Sequence, residues 1–368
     1  PYPGFNPFGS VSSGIDGAMR NDAVWASVRL LADSVSMMPL HTYTMRDGVR
    51  VPTASTPKLL ARPVPGITTG EWVYMAMVSL LLRGNFFAQV IEYDRQAYAA
   101  QAVPLDPDTV QLIERPGEPL KYRVRGIEVD AADIIHIRAY PVPGSLVGLS
   151  PIRYAAGQVM TTMEAARAFG TNFLGAGGHP SSILSTDKPL TQDIAAQIKE
   201  KFISSVRNRE PAVLSGGVSW SSVQISPEES QFLETQKYGV NQIARIFGVP
   251  AEMIGGSGEG SNITYANVES RSMDFLTYSV QPWLSRLEAA LSALLPGAQH
   301  VRFDTSVLVR MDEKTKAEVD KIRLDTGVKV VNDVRQTLDM PPVAWGDKPM
   351  ATNPQTVLVK SSKETPAT

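Results

Sequence analysis

The chain has 368 residues, 43% of them hydrophobic, enough for a large core spread over about two or three compact units. Its 35 basic and 37 acidic residues nearly cancel, so it lacks the clustered positive charge of a tight phosphate binder. With no cysteine it has no disulfide framework, thiolate metal site or thiol nucleophile, and no apolar run reaches the ~18–20 residues of a membrane span.

Residues 1–20 are rich in Gly, Pro and Ser and are expected to form a loose arm, without the basic-then-apolar pattern of a leader. A helix opens at Asn21, with Val24, Val28, Leu31 and Val35 on one face and Pro39 beyond its end. A strand, Leu40–Met45, turns at Asp47-Gly48, and an apolar helix, Thr69–Leu82, stops at Gly84. Between 85 and 140 the β-prone runs Phe86–Glu92, Val110–Ile113, Tyr122–Val124 and Ile134–Ile137 alternate with turns at Asp106-Pro107, Pro116-Gly117 and Arg125-Gly126. That pattern makes a small antiparallel β unit.

From Ser150 the pattern becomes helical. Ser150-Pro151 supplies an N-cap and a first-turn proline, and Ile152, Ala156, Val159, Met163, Ala166 and Phe173 mark one face as far as Gly175. Gly157, Ala165 and Gly170 belong to a small-residue surface on this helix that lets other backbones approach closely. Residues 179–225 read as a compact insert: a strand His179–Ser185, a helix Thr191–Val206, and strands Ala212–Leu214 and Trp220–Ile225 around Gly216-Gly217. Arg207 and Arg209 form a small basic spot there. Ser226-Pro227-Glu228-Glu229 has capping-box spacing with proline at the first helical position, and opens a helix carrying Phe232, Gln236, Val240, Ile243 and Phe247. Gly248 and Pro250 stop it.

A glycine-rich loop, Val249–Asn262, leads into the longest predicted helix, Ile263–Leu294, about 50 Å at ~1.5 Å per residue. Its apolar face runs Met273, Leu276, Val280, Leu284, Leu287, Leu291 and Leu294, and Pro282 should kink it. A strand His300–Val309, short helices Asp312–Leu324 and Asn332–Leu338, Pro341-Pro342 and a polar tail, 346–368, complete the chain.

The loop residues Gly255, Gly256, Ser257, Gly258, Glu259, Gly260, Ser261 and Asn262 invite a phosphate-cradle reading. A P-loop requires a Gly-Lys-Ser or Gly-Lys-Thr, which the chain lacks. A dinucleotide fingerprint requires a third glycine where Ser261 stands, and a preceding strand rather than a helix. The histidines, His41, His136, His179 and His300, sit in no G-x-S-x-G, H-x-x-H or H-E-x-x-H context, and Glu228-Glu229 reads as helix capping. No catalytic constellation, metal site or cofactor site emerges.

Several collinear segments resemble the portal proteins of long-tailed bacteriophages. They are Val24–Leu40, ending in Pro-Leu; Leu80-Leu-Leu-Arg-Gly-Asn-Phe-Phe-Ala88; Val103-Pro-Leu-Asp-Pro-Asp-Thr-Val110; Ile134-Ile-His-Ile-Arg138; and Gly148-Leu-Ser-Pro-Ile152. Further along come Ser226–Thr235, Ile243-Ala-Arg-Ile-Phe-Gly-Val-Pro250, Pro282-Trp-Leu284, and Asn332-Asp-Val-Arg335 with Pro341-Pro342. The resemblance spans roughly residues 21–345.

It implies an α+β portal fold with a mixed α/β wing, a helical stem, a small α/β clip and a short helical crown, assembled as a ring with a central channel. Mapped onto this chain, 1–20 is an arm, 21–149 the wing, 150–176 the first stem helix, 177–225 the clip and 226–247 the second stem helix. Residues 248–262 become a tunnel loop facing DNA, 263–310 a long helix with a wing return strand, 311–345 the crown and 346–368 the tail. Stem packing falls to Gly157, Ala165, Gly170, Phe232, Val240 and Ile243, and clip contacts to Arg207 and Arg209. The implied role is a non-enzymatic, cofactor-free homododecamer at one capsid vertex of the virion, assembled in the host cytoplasm and passing double-stranded DNA during packaging and ejection. Its implied partners are the terminase large subunit, a head–tail adaptor, the major capsid protein and a scaffold, with no membrane. A shorter head–tail connector ring and a nucleotide-dependent packaging enzyme are the competing readings; the second would need a Walker motif or carboxylate cluster that the chain lacks.

Overall fold

The computed structural model describes residues 15–175, 182–186, 189, 191–208, 218–222, 227–256, 271–308, 313–338 and 340–349. The chain divides into two compact units, Pro1–Asp304 and Thr305–Thr368.

In the first unit a helical turn, α1 (Ile15–Ala18), lies inside the segment expected to be a loose arm, and Ala18 is fully buried. Apolar contact holds a turn that composition alone reads as arm. Helix α2 (Asp22–Ser36) opens as its spacing predicts. The Asn21 side chain accepts from the amides of Ala23 and Val24, and Val24, Val28, Leu31 and Val35 are buried. Strands β1 (Leu40–Arg46) and β2 (Val49–Pro52) form a hairpin over Asp47-Gly48, both at positive φ. After the short helix α3 (Lys58–Ala61), α4 (Thr69–Arg83) starts at a capping box between Thr68 and Glu71 and ends at left-handed Gly84. Helices α2 and α4 pack together. Trp72 of α4 donates its indole N–H to the Ala102 carbonyl at 2.9 Å and meets Phe86 edge-on at 5.0 Å.

The β region is two antiparallel three-stranded sheets. In one, β3 (Asn85–Tyr93) lies between β4 (Ala99–Leu105) and β8 (Ile134–Arg138), with Phe87 opposite both Leu105 and His136. In the other, β5 (Val110–Ile113), β6 (Lys121–Val124) and β7 (Ile127–Asp130) follow in order. Phe87, Val110, Tyr122, Val124 and Ile134 form a shared apolar core.

A π-helical segment, Ile152–Ala156, runs into α5 (Gly157–Gly175). Strands β9 (Ser182–Thr186) and β10 (Val218–Ser222) pair antiparallel, Trp220 opposite Leu184, and α6 (Gln192–Asn208) lies between them in sequence. The expected strand Ala212–Leu214 lies outside the described residues. Helix α7 (Pro227–Phe247) starts at the proline of the predicted cap and packs on α5 and α2.

The long helix is helical from Arg271 onward but changes character at Phe275–Val280, a π-helical segment that delivers the chain to α8 (Gln281–Ser292). Pro282 has no N–H for the carbonyl four residues back, and its ring crowds that carbonyl; a wider turn relieves both. Leu276, Val280, Leu284, Leu287 and Leu291 are buried as expected. Met273 is not: it is 45% exposed, and Phe275 is buried instead, because the wide turn shifts the seam. Strand β11 (Gln299–Phe303) pairs with β1, Leu40 opposite Phe303, in a sheet ordered β11-β1-β2. It is shorter than the expected His300–Val309. Asp304 still donates to the Pro39 carbonyl at 2.9 Å, but Pro39 has no N–H to return and the ladder stops.

The second unit contains α9 (Glu313–Asp325) and α10 (Val331–Thr337). Buried Asp320 pairs with Arg323 and Lys329, each at 3.6 Å. Asn332 holds the chain that follows: its side chain accepts from the Val343 amide and donates to the Val343 carbonyl and Asp347. Arg335 donates to the Pro341 carbonyl at 2.8 Å, so the Asn332–Arg335 and Pro341 motif residues form one knot.

Candidate functional site

The predicted loop begins where α7 ends. Gly248 sits at φ +68° and Val249 is buried, its amide bonded to the Ala244 carbonyl at 2.9 Å. A 3-10 turn, Ala251–Ile254, ends at Gly255 with φ +83°. The Gly256 amide donates to the Ala251 carbonyl at 2.7 Å. A Cβ on Gly256 would lie 2.7 Å from the Asn241 Oδ1 and 2.9 Å from the Ala251 Cβ. Gly255 and Gly256 are therefore folded back on the end of α7 rather than strung out as connector. Ser257, Gly258, Glu259, Gly260, Ser261 and Asn262 lie outside the described residues.

Two bonds join the chain before this stretch to the chain after it. Arg271 pairs with Glu252 at 3.4 Å, and the Ser279 hydroxyl donates to the Gly248 carbonyl. Between Arg245 and Arg271 the sequence holds no lysine or arginine. The sequence reading passed over this clasp. Its only signal was Glu252 before the glycines and Arg271, the first base after them.

Of the other predicted positions, Ile243 is fully buried within the subunit and Val240 half-buried. Ala165 is exposed on α5. Gly157 opens α5, and a Cβ there would make only an ordinary contact, 3.4 Å from the Ile152 carbonyl oxygen. Gly170 lies on α5 and Phe232 on α7. Arg207 lies in the last turn of α6, and Arg209 outside the described residues. The contact that packs α5 on α7 is one that sequence reading missed. Met163 rests on Gly239, where a Cβ would come within 2.6 Å of its Cγ.

Five of the quoted motifs meet at one junction. The Gly84 carbonyl accepts from the Ala139 amide at 2.8 Å. Gly148 lies against the same backbone, so that a Cβ on it would be 2.1 Å from the Ala139 oxygen and 2.3 Å from the Gly84 oxygen. The Asn85 side chain accepts from the Gly148 amide at 2.7 Å and donates to the Gly148 carbonyl at 3.0 Å. Ser150 donates to the Leu82 carbonyl at 2.6 Å and accepts from the Arg153 amide at 3.2 Å, capping the helix it was expected to cap. Arg83 Nη2 meets Asp108 at 2.8 Å. Trp283 of the Pro282-Trp-Leu284 motif joins from α8, edge-on to Tyr140 at 5.6 Å with Arg286 over its ring at 4.9 Å.

His136 is part of this junction. It stacks on Phe87 at 4.3 Å, lies 3.1 Å from Asn85 Oδ1 through Nε2, and 3.2 Å from the Tyr122 hydroxyl through Nδ1. An amide oxygen only accepts, so Nε2 carries the proton and Nδ1 accepts from Tyr122. Burial, assisted by the Arg138 charge, pushes the His136 pKa down to about 4, and the ring is neutral at pH 7. These bonds fix the root of α5 on the sheet and offer no reacting pair. Among the described residues no cluster of His, Asp and Glu could hold a metal, and no helix is long and apolar enough to cross a membrane.

Residues 22–339 match the family described as phage portal protein. The chain is 30% identical to a probable portal protein of Streptomyces phage phiC31, over 89% of this chain and 76% of that one. It is 27% identical to the portal protein of Enterobacteria phage HK97, over 90% and 81%. Among solved structures it is similar to the neck of a native gene transfer agent particle computed with C12 symmetry, with TM-score 0.62, 23% identity and coverage of 89% and 94%. An HK97-family phage portal protein from Corynebacterium diphtheriae matches with TM-score 0.52, 20% identity and coverage of 80% and 96%. The phage portal family is a non-enzymatic structural component of the capsid. The chain belongs to the phage portal protein family.

Proposed function

We propose that the chain forms a dodecameric ring at one capsid vertex and serves as the conduit for double-stranded DNA during packaging and ejection. The terminase large subunit docks on the clip during packaging, and a head–tail adaptor takes the same surface afterwards. The major capsid protein and a scaffold contact the ring's periphery. Residues 21–149, closed by the return strand, act as the wing, α5 and α7 as the stem, 177–225 as the clip, and 311–345 as the crown. Exposed Ala165 and the neighbouring Gly157 and Gly170 face the next subunit's stem.

The observation that carries this reading is the clasped, cation-free glycine segment between Gly248 and Arg271. B-DNA carries about one charge per 1.7 Å of axis, so lysines lining a narrow passage would hold it, and small neutral or acidic residues let it slide. The C12 symmetry of the gene transfer agent neck supports a count of twelve. Replacing Gly258 and Glu259 together with Lys should leave rings intact by electron microscopy and impair DNA packaging or retention. Unchanged packaging and ejection would remove the loop from the channel.

A further inference from the structure

A cleft of about 370 Å3 opens beside the junction, at the root of α5. Phe87, Val110, Leu112 and Val147 supply its apolar walls, and Arg153 and Tyr154 stand at its edge. Tyr154 is 77% exposed, unusual for a tyrosine at the foot of a packed helix, and Arg153 has no ion-pair partner among the described residues. A cleft of this size lies within the range of about 300–1,000 Å3 that suits a ligand or a few side chains.

The course of the chain identifies what reaches it. The Asn21 side chain lies 3.6 Å from Met163 Sδ, well along α5. Earlier in the chain, α1 packs against Ile152–Ala156, the first turns of the same helical run. Followed toward the N-terminus, the backbone therefore travels down α5 toward its root. The fourteen residues that precede Ile15 make up to ~45 Å of extended chain available at ~3.3 Å per residue, enough to reach Arg153 and Tyr154.

Their chemistry matches the cleft. Pro1-Tyr-Pro-Gly-Phe-Asn-Pro-Phe8 carries three aromatic rings and three prolines, and residues 1–14 carry no charge. Proline-rich segments bind apolar, aromatic-edged grooves in extended form at low entropic cost. An uncharged aromatic segment also suits the unpaired guanidinium, which can lie over a ring face without needing a counter-ion. We propose that the aromatic segment Tyr2–Phe8 of this chain docks in the cleft at the root of its own α5. It covers Leu112 and Val147 and ties the helix to the sheet. The proposal does not depend on the DNA-conduit reading.

The absence of cysteine makes a direct test possible. Full-length protein carrying Phe8→Cys and Val147→Cys is treated with a short bismaleimide and compared with Phe8→Cys paired with Val49→Cys on β2. The expected result is a cross-linked single chain, at least about ten-fold more abundant for the Val147 pair. Equal yields from both pairs, no cross-link to Val147, or cross-links only between chains would each overturn docking on the same chain; the last would give the cleft to a second copy. Hydrogen exchange on the otherwise native chain provides an independent arm. Phe5→Ser with Phe8→Ser should speed amide exchange at Val110–Leu112 and Val147–Leu149 by about ten-fold. Unchanged exchange there would also overturn the proposal.

Discussion

The glycines of the junction and the two that turn the chain at the base of the loop, Gly248 and Gly255, serve opposite needs. At Gly148 the conformation is ordinary but space is absent: a Cβ would strike two carbonyl oxygens of neighbouring segments. At Gly248 and Gly255 space is open, with nothing within 4 Å of a built Cβ, but φ is positive. Gly84 carries both burdens, φ +75° and a Cβ 2.2 Å from the Leu149 oxygen. The junction uses glycine to bring backbones into contact, and Gly248 and Gly255 use it to turn the chain. Substitution should therefore damage the first through collision and the second only through local strain.

Gly148→Ala tests the stronger half of this contrast. Both obstructing atoms are backbone and neither can rotate away, so about 3 kcal/mol or more of stability should be lost by chemical denaturation. An unchanged midpoint would mean that the junction yields.

Acidification tests the same junction through His136. Its pKa is about 4 in the folded protein against an ordinary 6.5, so the unfolded chain binds a proton more readily between those values. The stabilisation is full above pH 6.5 and is lost as pH falls through 4. The loss is on the order of 3 kcal/mol between pH 7 and 4, at about 1.4 kcal/mol per unit. His136→Phe should remove that part of the pH dependence in urea titrations at pH 7 and 4.

Gly239→Ala lies between the two extremes, because the atom it meets belongs to the flexible side chain of Met163. A loss of about 1–2 kcal/mol is expected. Combining it with Met163→Ala should be less harmful than the sum of the single changes, a coupling a double-mutant cycle reads directly. The smallest effect belongs to Gly248→Ala, about 1 kcal/mol from left-handed strain alone. A loss comparable to that of Gly148→Ala would erase the distinction between crowding and turning.

What could be read in advance follows from the range of the forces involved. Helices α2, α4 and α7 announce themselves because their caps and apolar faces are local: Asn21, the Thr68–Glu71 box and Pro227 all act within one turn. Strands β4 and β7 escaped because Ala99–Leu105 contains a proline and Ile127–Asp130 two acids. Their identity comes from pairing with β3 and β6, not from propensity. The wide turn at Phe275–Val280 was foreseen only as a proline kink, since sequence locates the missing N–H but not how the helix accommodates it. The motifs at Gly84, Asp108, His136 and Gly148 were each visible through family resemblance. That they converge on one junction is a tertiary fact, carried by bonds such as Asn85 to Gly148, sixty-three residues apart.

The Glu252–Arg271 clasp has a consequence for how such a loop can change. Joining the ends of a segment fixes most of its entropic cost, and doubling the length between them adds only about 0.6 kcal/mol. Changes in chain length beyond Gly256 are thus expected to cost little as long as Glu252 and Arg271 stay paired. The clasp acts as a bayonet mount: it holds an interchangeable fitting between two seated helices.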